Sequence, residues 1–279
     1  MSAPNACVIG WPISHSRSPL IHSYWLAELG LTGSYVRHGV EPEQLDAFLR
    51  NLADHGFVGC NVTLPHKEAA FAAMDEVDDT AVVLRAVNTI WLENGRLCGS
   101  NTDVYGFLAN LDASAPGWDA NAKTAVVLGA GGAARAIVYG LKARGFDRIQ
   151  VVNRTLSRAE KIAEEFGRNV TAKDWNATES FAADTGLLVN TTSLGMTGQP
   201  PLEVNLESLP DTCVVTDIVY APLITNLLLD AREQGLKTVD GLGMLLHQAV
   251  PGFEKWFGAR PAVSPGLRSH VLKDLEPAT

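Results

Sequence analysis

Short apolar runs alternate with longer amphipathic segments along the whole chain. The runs that predict strands are 6–10, 34–40, 59–64, 124–128, 149–152, 187–189, 213–219 and 237–239. The segments that predict helices are 18–30, 65–74, a segment that ends near 144, one that starts at 157, and 242–257. Because strands and helices alternate from end to end, the pattern predicts an α/β fold with parallel sheets.

Turn and cap residues refine this pattern. Asn94-Gly95 joins the runs 88–92 and 96–99 and predicts a hairpin, because both residues accept the positive φ of a two-residue turn. Pro65 fits the first position of a helix, and Ser157 with Glu160 has the spacing of a capping box. The apolar stripe expected on the first helix consists of Leu20, Ile21, Tyr24, Trp25 and Leu29.

The length of 279 residues is typical of about two domains. A looser stretch at 112–123, which contains Pro116 and Gly117, is the expected boundary. We therefore expect one domain at 1–112, a second at 113–240, and C-terminal helices at 241–279 that return to the first domain.

The chain carries 22 basic and 31 acidic side chains, a formal net charge of −9. It offers no broad basic face, so we expect neither nucleic acid nor a membrane as a partner. No signal peptide or apolar run of ~20 residues is evident, which predicts a cytoplasmic protein. The four cysteines lie far apart and lack zinc-ligand spacing, so we expect reduced, mostly buried thiols and no metal site.

A glycine cluster follows the buried run 124–128 and precedes a helix. Gly129 permits a tight turn, Gly131 lets the backbone approach a pyrophosphate, and the small Ala134 permits close packing of the helix. The N–H groups and the positive dipole end at the helix start favour a phosphate. The cluster predicts nucleotide binding; a plain tight turn between strand and helix is the alternative.

The second strand of this unit ends at Asn153-Arg154-Thr155, where NAD-selective sites place an Asp or Glu for the ribose 2′-hydroxyl. That carboxylate is absent. Arg154, with Thr155 and Arg158 beside it, can instead bind a 2′-phosphate through charge-assisted hydrogen bonds. This favours NADP over NAD, and a solvated arginine in a turn is the alternative.

A dinucleotide fold suggests hydride transfer, which needs a group that moves a proton. The chain has neither a Tyr-x-x-x-Lys pair nor a cysteine and histidine set for a catalytic zinc. Lys67 is the favoured candidate, because it follows Pro65 in a first helical turn, where a cation opposes the helix dipole. A surface lysine paired with Glu68 is the alternative.

Other polar residues are weaker candidates. Asp103 precedes an apolar helix, and its local sequence by itself favours a helix cap over a ligand. Ser14 and Ser16 flank His15 in a loop after the first strand and can bind a carboxylate or a polyol, although loop serines are common. Further polar groups at strand ends or on an apolar helix are Asn61, Thr63, Asn88, Tyr220 and Gln248.

Taken together, these segments resemble the shikimate dehydrogenase family over essentially the whole chain. The matching segments are 9–19, 61–68, 86–89, 101–103, the glycine cluster, 153–155, and 240–245 with Gln248. The resemblance implies a two-domain α/β fold with an N-terminal substrate-binding and catalytic domain and a Rossmann-type NADP-binding domain. It also implies reversible, NADPH-dependent reduction of 3-dehydroshikimate to shikimate in aromatic amino-acid (chorismate) biosynthesis, by a monomer or homodimer.

The resemblance further implies roles for individual residues. Lys67 would be the catalytic acid and base, with Asp103 as its partner at the bound alcohol. Ser14 and Ser16 would hold the substrate carboxylate. The residues implied to bind ring hydroxyls are Thr63, Asn88, Asp103, Tyr220 and Gln248. The residues implied to line the cofactor are Gly129, Ala130, Gly131, Gly132, Ala133, Asn153, Arg154, Thr155, Arg158, Ile218 and Gly241.

Two residues depart from the family's pattern: Arg85 stands where glycine is more frequent, and Trp11 stands where a smaller or polar residue is frequent. A related enzyme for quinate, or for both alcohols, with possible use of NAD is one rival. Ser14 and Ser16 together with Arg154 favour shikimate with NADP. A noncatalytic NADP-sensing protein is the second rival, and it would not need Lys67.

Overall fold

The structure is a computed structural model that describes residues 3–120 and 123–275. Its contacts divide the chain into two compact units: unit 1 runs up to Thr102 and resumes at Leu246, and unit 2 is Asp103–Leu245. The domain boundaries expected at 112/113 and 240/241 stay a prediction. Residues 121 and 122 of the looser stretch, and 276–279 of the C-terminal segment, lie outside the described residues.

Strands and helices follow one another through the described residues, with some consecutive strands such as β5 and β6. The strands are β1 (Asn5–Gly10), β2 (Ser34–Gly39), β3 (Gly59–Val62), β4 (Glu76–Val77), β5 (Thr89–Glu93), β6 (Arg96–Ser100), β7 (Thr124–Leu128), β8 (Arg148–Val152), β9 (Val170–Lys173), β10 (Thr185–Asn190), β11 (Val214–Asp217) and β12 (Lys237–Val239). The α-helices are α1 (Ser18–Glu28), α2 (Leu45–Arg50), α3 (Lys67–Ala73), α4 (Asp79–Leu84), α5 (Asp103–Ser114), α6 (Gly132–Ala143), α7 (Leu156–Phe166), α8 (Asn226–Glu233), α9 (Leu242–Phe257) and α10 (Pro265–Leu275). Short 3-10 helices lie at Pro42–Gln44 and Trp175–Glu179.

Unit 1 contains a mixed six-stranded sheet with the order β2-β1-β3-β5-β6-β4. β1 pairs in parallel with β2 and β3, whereas β5 runs antiparallel to β3 and β6. Alternate residues of β1 face two cores: Cys7 and Ile9 pack with Phe48, and Val8 packs with Trp256. Both faces of this strand are therefore covered, as its continuous apolar sequence predicts.

Unit 2 contains a parallel six-stranded sheet with the order β9-β8-β7-β10-β11-β12. The chain enters at β7, adds β8 and β9 on one side, and then continues with β10 on the other side of β7. This is the strand order of Rossmann-type folds, in which ligands bind at the carboxyl ends of the strands where the order reverses. Here that point lies between β7 and β10.

The expected α/β class with two domains is confirmed. β7 and α9 begin and end at the residues that the apolar pattern predicts. The hairpin is also confirmed, since β5 and β6 pair antiparallel and Asn94 and Gly95 have φ values of 52° and 77°. All four cysteines are buried and unpaired. Among the described residues we find no helix with the length and apolar character that crossing a bilayer requires.

The prediction for Pro65 is wrong. Pro65 lies in a turn in which the His66 N–H donates to the Thr63 carbonyl oxygen at 3.0 Å. The turn ends β3 at Val62 instead of residue 64, and α3 begins only at Lys67.

Two other local predictions are wrong. α7 begins at Leu156, so Ser157 already lies inside the helix and no capping box with Glu160 forms; the preceding Thr155 makes no side-chain cap hydrogen bond. Leu29 is 41% exposed and follows the last residue of α1, Glu28. The buried residues of α1 are Ile21, His22, Trp25 and Leu26.

Candidate active site

The loop after β1 holds Ser14 and Ser16. Ser14 is exposed and Ser16 is half-buried. The Arg37 Nε donates to the Ser16 carbonyl oxygen at 2.9 Å, and Arg17 donates to the His15 carbonyl oxygen at 2.7 Å. Two guanidinium groups therefore fix the backbone of this loop, and the serine hydroxyls lie on a defined framework.

Lys67 is the first residue of α3 and so lies in a first helical turn, as the sequence predicts. The Thr63 N–H donates to the Ile9 carbonyl oxygen at 2.9 Å, which ties the end of β3 to β1. The buried His66 Nε2 donates to the Val40 carbonyl oxygen at 2.7 Å and anchors the residue before the helix. Lys67 itself is half-buried, and its carbonyl accepts the Val87 N–H at 2.9 Å. Lys67 is thus held in a first helical turn, where the dipole opposes its charge.

Asn88 and Gln248 are brought together although they lie on distant parts of the chain. Asn88 is buried, and its Oδ1 accepts the Thr102 N–H at 2.9 Å. The Thr102 hydroxyl donates to the Gln248 carbonyl oxygen at 2.8 Å. Because Oδ1 is turned towards Thr102, Nδ2 is the side-chain donor of Asn88. Sequence reasoning missed this bridging role of Thr102.

The two glycines of the turn after β7 differ in backbone angle and in the space around them. Gly129 has a φ of +107°, and a Cβ there would lie 2.5 Å from the Thr191 hydroxyl. Gly131 has a φ of −99°, and a Cβ there would meet no atom within 4 Å. α6 starts at the exposed Gly132, and its neighbours Ala130 and Ala133 are half-buried. The start of α6 therefore offers backbone N–H groups to open space, as a pyrophosphate requires.

Two guanidinium groups lie beyond the end of β8. The Asn153 Nδ2 donates to the Thr155 carbonyl oxygen at 2.8 Å, and the Arg158 N–H donates to the same oxygen at 3.0 Å. Arg154 and Arg158 are exposed, and neither side chain forms a hydrogen bond or ion pair with residues 3–120 or 123–275. With the glycine turn, these residues fit a dinucleotide that carries an additional phosphate.

A buried network holds the segment after β11, where Ile218 and Tyr220 lie half-buried. The carboxylate of the buried Asp217 accepts hydrogen bonds from Thr225 Oγ1 at 2.7 Å and from Asn190 Nδ2 and the Val219 N–H at 2.9 Å each. Burial raises the pKa of Asp217 to about 6, and these hydrogen bonds oppose the shift. The network thus fixes the backbone that presents Ile218 and Tyr220.

Gly241 is required by the same segment. A Cβ at Gly241 would lie 2.4 Å from the Ile218 carbonyl oxygen and 2.6 Å from that of Val219. No side chain other than hydrogen fits, so Gly241 permits the close approach of the two backbones.

Comparison with known proteins finds shikimate dehydrogenases that match most of the chain. Residues 8–90 match the family model of the shikimate dehydrogenase substrate binding domain. Residues 112–197 match that of shikimate / quinate 5-dehydrogenase, and 241–267 match the shikimate 5′-dehydrogenase C-terminal domain. The NADP(+) shikimate dehydrogenase of Brucella canis is 58% identical over 276 residues, which are 98% of this chain and 95% of that protein. The chain belongs to the shikimate dehydrogenase family.

Two solved enzyme structures are also similar to this chain. The Thermus thermophilus shikimate 5-dehydrogenase in complex with NADP(H) and shikimate is 37% identical, with a TM-score of 0.84 and coverage of 97% of this chain and 99% of that chain. The quinate dehydrogenase of Corynebacterium glutamicum in complex with NAD is 32% identical, with a TM-score of 0.89 and coverage of 97% and 99%. The resemblance drawn from the motifs is confirmed.

The roles of individual residues stay predictions within this shikimate dehydrogenase framework. In unit 1, backbone hydrogen bonds hold the segments that contain Thr63, Lys67 and Asn88 next to one another. The Thr102 side chain contacts both Asn88 and the Gln248 carbonyl oxygen. Unit 2 contains the glycine turn, the segment after β8, Ile218, Tyr220 and Gly241. Asp103 is buried as the first residue of α5 in unit 2.

The structure shows why glycine suits one of the two positions at which the chain departs from the family's pattern. Arg85 has a φ of 50° and ψ of 38° at the end of α4, a left-handed conformation that glycine adopts without strain. Trp11, the other departure, is 49% exposed, and its ring packs over Gly39.

Sequence reasoning missed Asn190 and Asp217 because their contacts join separate strands. One signal was present: Asn190 directly follows the apolar run 187–189, and Asp217 is a charged residue within the apolar run 213–219.

Proposed function

We propose that the chain catalyses the reversible, NADPH-dependent reduction of 3-dehydroshikimate to shikimate, a step of aromatic amino-acid (chorismate) biosynthesis. The observation that carries the proposal is the combination of Lys67 in the first turn of α3 with the guanidinium groups of Arg154 and Arg158, which are unpaired among the described residues. These two groups follow β8 at the carboxyl ends of the strands of unit 2, which we call the nucleotide edge. The identity to NADP(+) shikimate dehydrogenases over nearly the whole chain supports the choice of substrate and cofactor. We place the reaction in the cytoplasm.

Lys67 and Asp103 perform the proton chemistry in this proposal. NADPH, when bound, supplies the hydride that the ketone carbon accepts. The Lys67 Nζ gives a proton to the ketone oxygen, and in the reverse direction it takes the proton from the alcohol. Asp103 is the partner of Lys67 at the bound alcohol and assists the transfer. No metal is needed for this step.

The remaining site residues bind and orient the substrate and the cofactor. Ser14 and Ser16 hold the substrate carboxylate with their hydroxyls. The side chains that bind ring hydroxyls are Thr63, Asn88, Asp103, Tyr220 and Gln248. The cofactor contacts are Gly129 to Ala133, Asn153, Arg154, Thr155, Arg158, Ile218 and Gly241, with Arg154 and Arg158 on the 2′-phosphate. We accordingly assign substrate binding to 1–112, NADP binding to 113–240 and a returning helical segment to 241–279, in a monomer or a homodimer.

The test follows the absorbance of the reduced nicotinamide at 340 nm. Shikimate and quinate are each assayed with NADP and with NAD, which gives four pairings. We expect the highest kcat/KM for shikimate with NADP. A higher value for quinate, or for NAD, would transfer the assignment to a quinate or dual-specificity enzyme. Binding of NADP without turnover in any pairing would instead indicate a noncatalytic sensor.

A further inference from the structure

Lys173 is the last residue of β9, and its backbone pairs with the end of β8, after which Arg154 and Arg158 follow. β8 and β9 are parallel and Val152 is the register partner of Lys173. The Asn153 N–H donates to the Lys173 carbonyl oxygen at 3.2 Å. The carboxyl ends of both strands therefore meet at the same edge of the sheet, and Arg154 follows directly after the hydrogen-bonded Asn153.

The distances of this arrangement suit a shared ligand. Neighbouring strands lie about 4.8 Å apart, and a lysine carries its ammonium group on a flexible four-carbon stem. In a parallel pair, register partners point to the same face of the sheet, so Lys173 lies on the Val152 face. We therefore expect its ammonium group to reach a phosphate bound at the end of β8.

The charge of Lys173 is not used within the protein. The side chain is exposed and forms no hydrogen bond or ion pair with the described part of the chain. The nearest acid in the sequence, Asp174, caps the following 3-10 helix by accepting the Asn176 N–H at 3.0 Å. Elsewhere in unit 2, Arg135 and Arg144 form ion pairs with carboxylates.

Arg154, Arg158 and Lys173 are three exposed cations without an ion pair among the described residues, and they follow β8 or end β9 in a chain of net charge −9. Such a cluster repels itself unless an anion occupies it, and a ribose 2′-phosphate carries close to two negative charges at neutral pH.

We propose that Lys173 is a specificity-determining residue that binds the 2′-phosphate of NADP together with Arg154 and Arg158. This inference rests on the NADP assignment of the proposed function. It adds a cation that the motif after β8 does not contain, and it places part of the discrimination against NAD on β9.

The test measures binding of two cofactor fragments by isothermal titration calorimetry, so that it does not depend on turnover. Adenosine 2′,5′-bisphosphate carries the 2′-phosphate, and adenosine 5′-monophosphate lacks it. In Lys173→Ala we expect the Kd of the bisphosphate to rise about three- to ten-fold, and that of the monophosphate to change less than about two-fold. Lys173→Arg should retain bisphosphate binding within about two-fold, because the charge is kept.

Lys237→Ala is the matched control. Lys237 is an exposed lysine of the same sheet, but it is the first residue of β12 and so lies at the opposite edge. Its substitution should leave both Kd values unchanged. An unchanged bisphosphate Kd in Lys173→Ala, or equal weakening of both fragments, overturns the role of Lys173 while the NADP assignment stands. A wild-type protein that binds both fragments equally overturns the two together.

Discussion

At the scale of single residues, unit 1 contains a buried histidine that makes stability depend on pH. His22 lies fully buried on α1, and its ring stacks on Tyr35 with 4.0 Å between the ring centroids. Burial lowers the pKa of His22 to about 3, and the side chain of Asn61 opposes the shift. Because the folded protein keeps this imidazole neutral, stability depends on pH.

The predicted dependence follows from the sign of that shift. In the unfolded chain His22 binds a proton below about pH 6.5, whereas in the folded chain it stays neutral down to about pH 3. The stabilising contribution is therefore complete above pH 6.5 and is lost as the pH falls towards 3. Relative to His22→Phe, the wild type should lose about 2 kcal/mol of unfolding free energy between pH 7 and 5. Urea denaturation followed by tryptophan fluorescence measures the difference; parallel pH curves would show that His22 does not cause it.

At the scale of the elements, we expect Gly129 and Gly131 of the turn after β7 to be required for different reasons. Gly129 is needed by the fold, because its positive φ and the nearby Thr191 leave no room for a side chain. Gly131 has ordinary backbone angles and open space around it, so the fold does not require glycine there, and we expect the requirement to come from the ligand. The sequence motif contains both glycines but does not distinguish these reasons.

Substitution of each glycine by alanine tests this difference. Gly129→Ala should lower the unfolding free energy by at least about 1–2 kcal/mol through strain and steric contact. Gly131→Ala should leave stability within about 0.5 kcal/mol but weaken NADP binding by about one order of magnitude, because the methyl group occupies the pyrophosphate position. Thermal denaturation and calorimetric titration of both variants measure the two effects. Equal stability losses in both would contradict the assignment.

Arg85 offers a stabilising substitution at the end of α4. Arg85→Gly should raise the unfolding free energy by roughly 0.5–1 kcal/mol, because glycine adopts the left-handed conformation without strain. The control Val82→Gly changes an exposed position inside the same helix and should lower it by about 1 kcal/mol. Denaturation midpoints measure both, and a loss of stability in Arg85→Gly would show that strain at this residue is not relieved.

The hydrophobic pattern predicted elements best where the sheet is buried and parallel. β7 and α9 were predicted to the residue, because a continuous apolar run and a long amphipathic stripe have clear ends. The start of α3 was missed, since the turn from Thr63 to His66 depends on hydrogen bonds that no local pattern shows. The capping box at Ser157 failed because helix starts compete within one residue, and local propensities differ little there.

At the scale of the whole molecule, the candidate site was predicted in parts. The motifs placed Lys67 and the glycine turn at helix starts, which are local features. The contacts of Thr102 with Asn88 and Gln248, and of Asp217 with Asn190, join residues far apart in the chain. Such contacts depend on strand order and register, which one sequence by itself does not specify.

The central claim is that Lys67 transfers the proton. Its most direct test is the steady-state kcat of Lys67→Ala for shikimate with NADP, measured beside the NADP Kd and beside Lys273→Ala, an exposed lysine of α10 in the same unit. We predict that Lys67→Ala loses about 10²- to 10⁴-fold in kcat and keeps its NADP affinity, while Lys273→Ala retains both. A kcat of Lys67→Ala within about two-fold of the wild type would contradict the account.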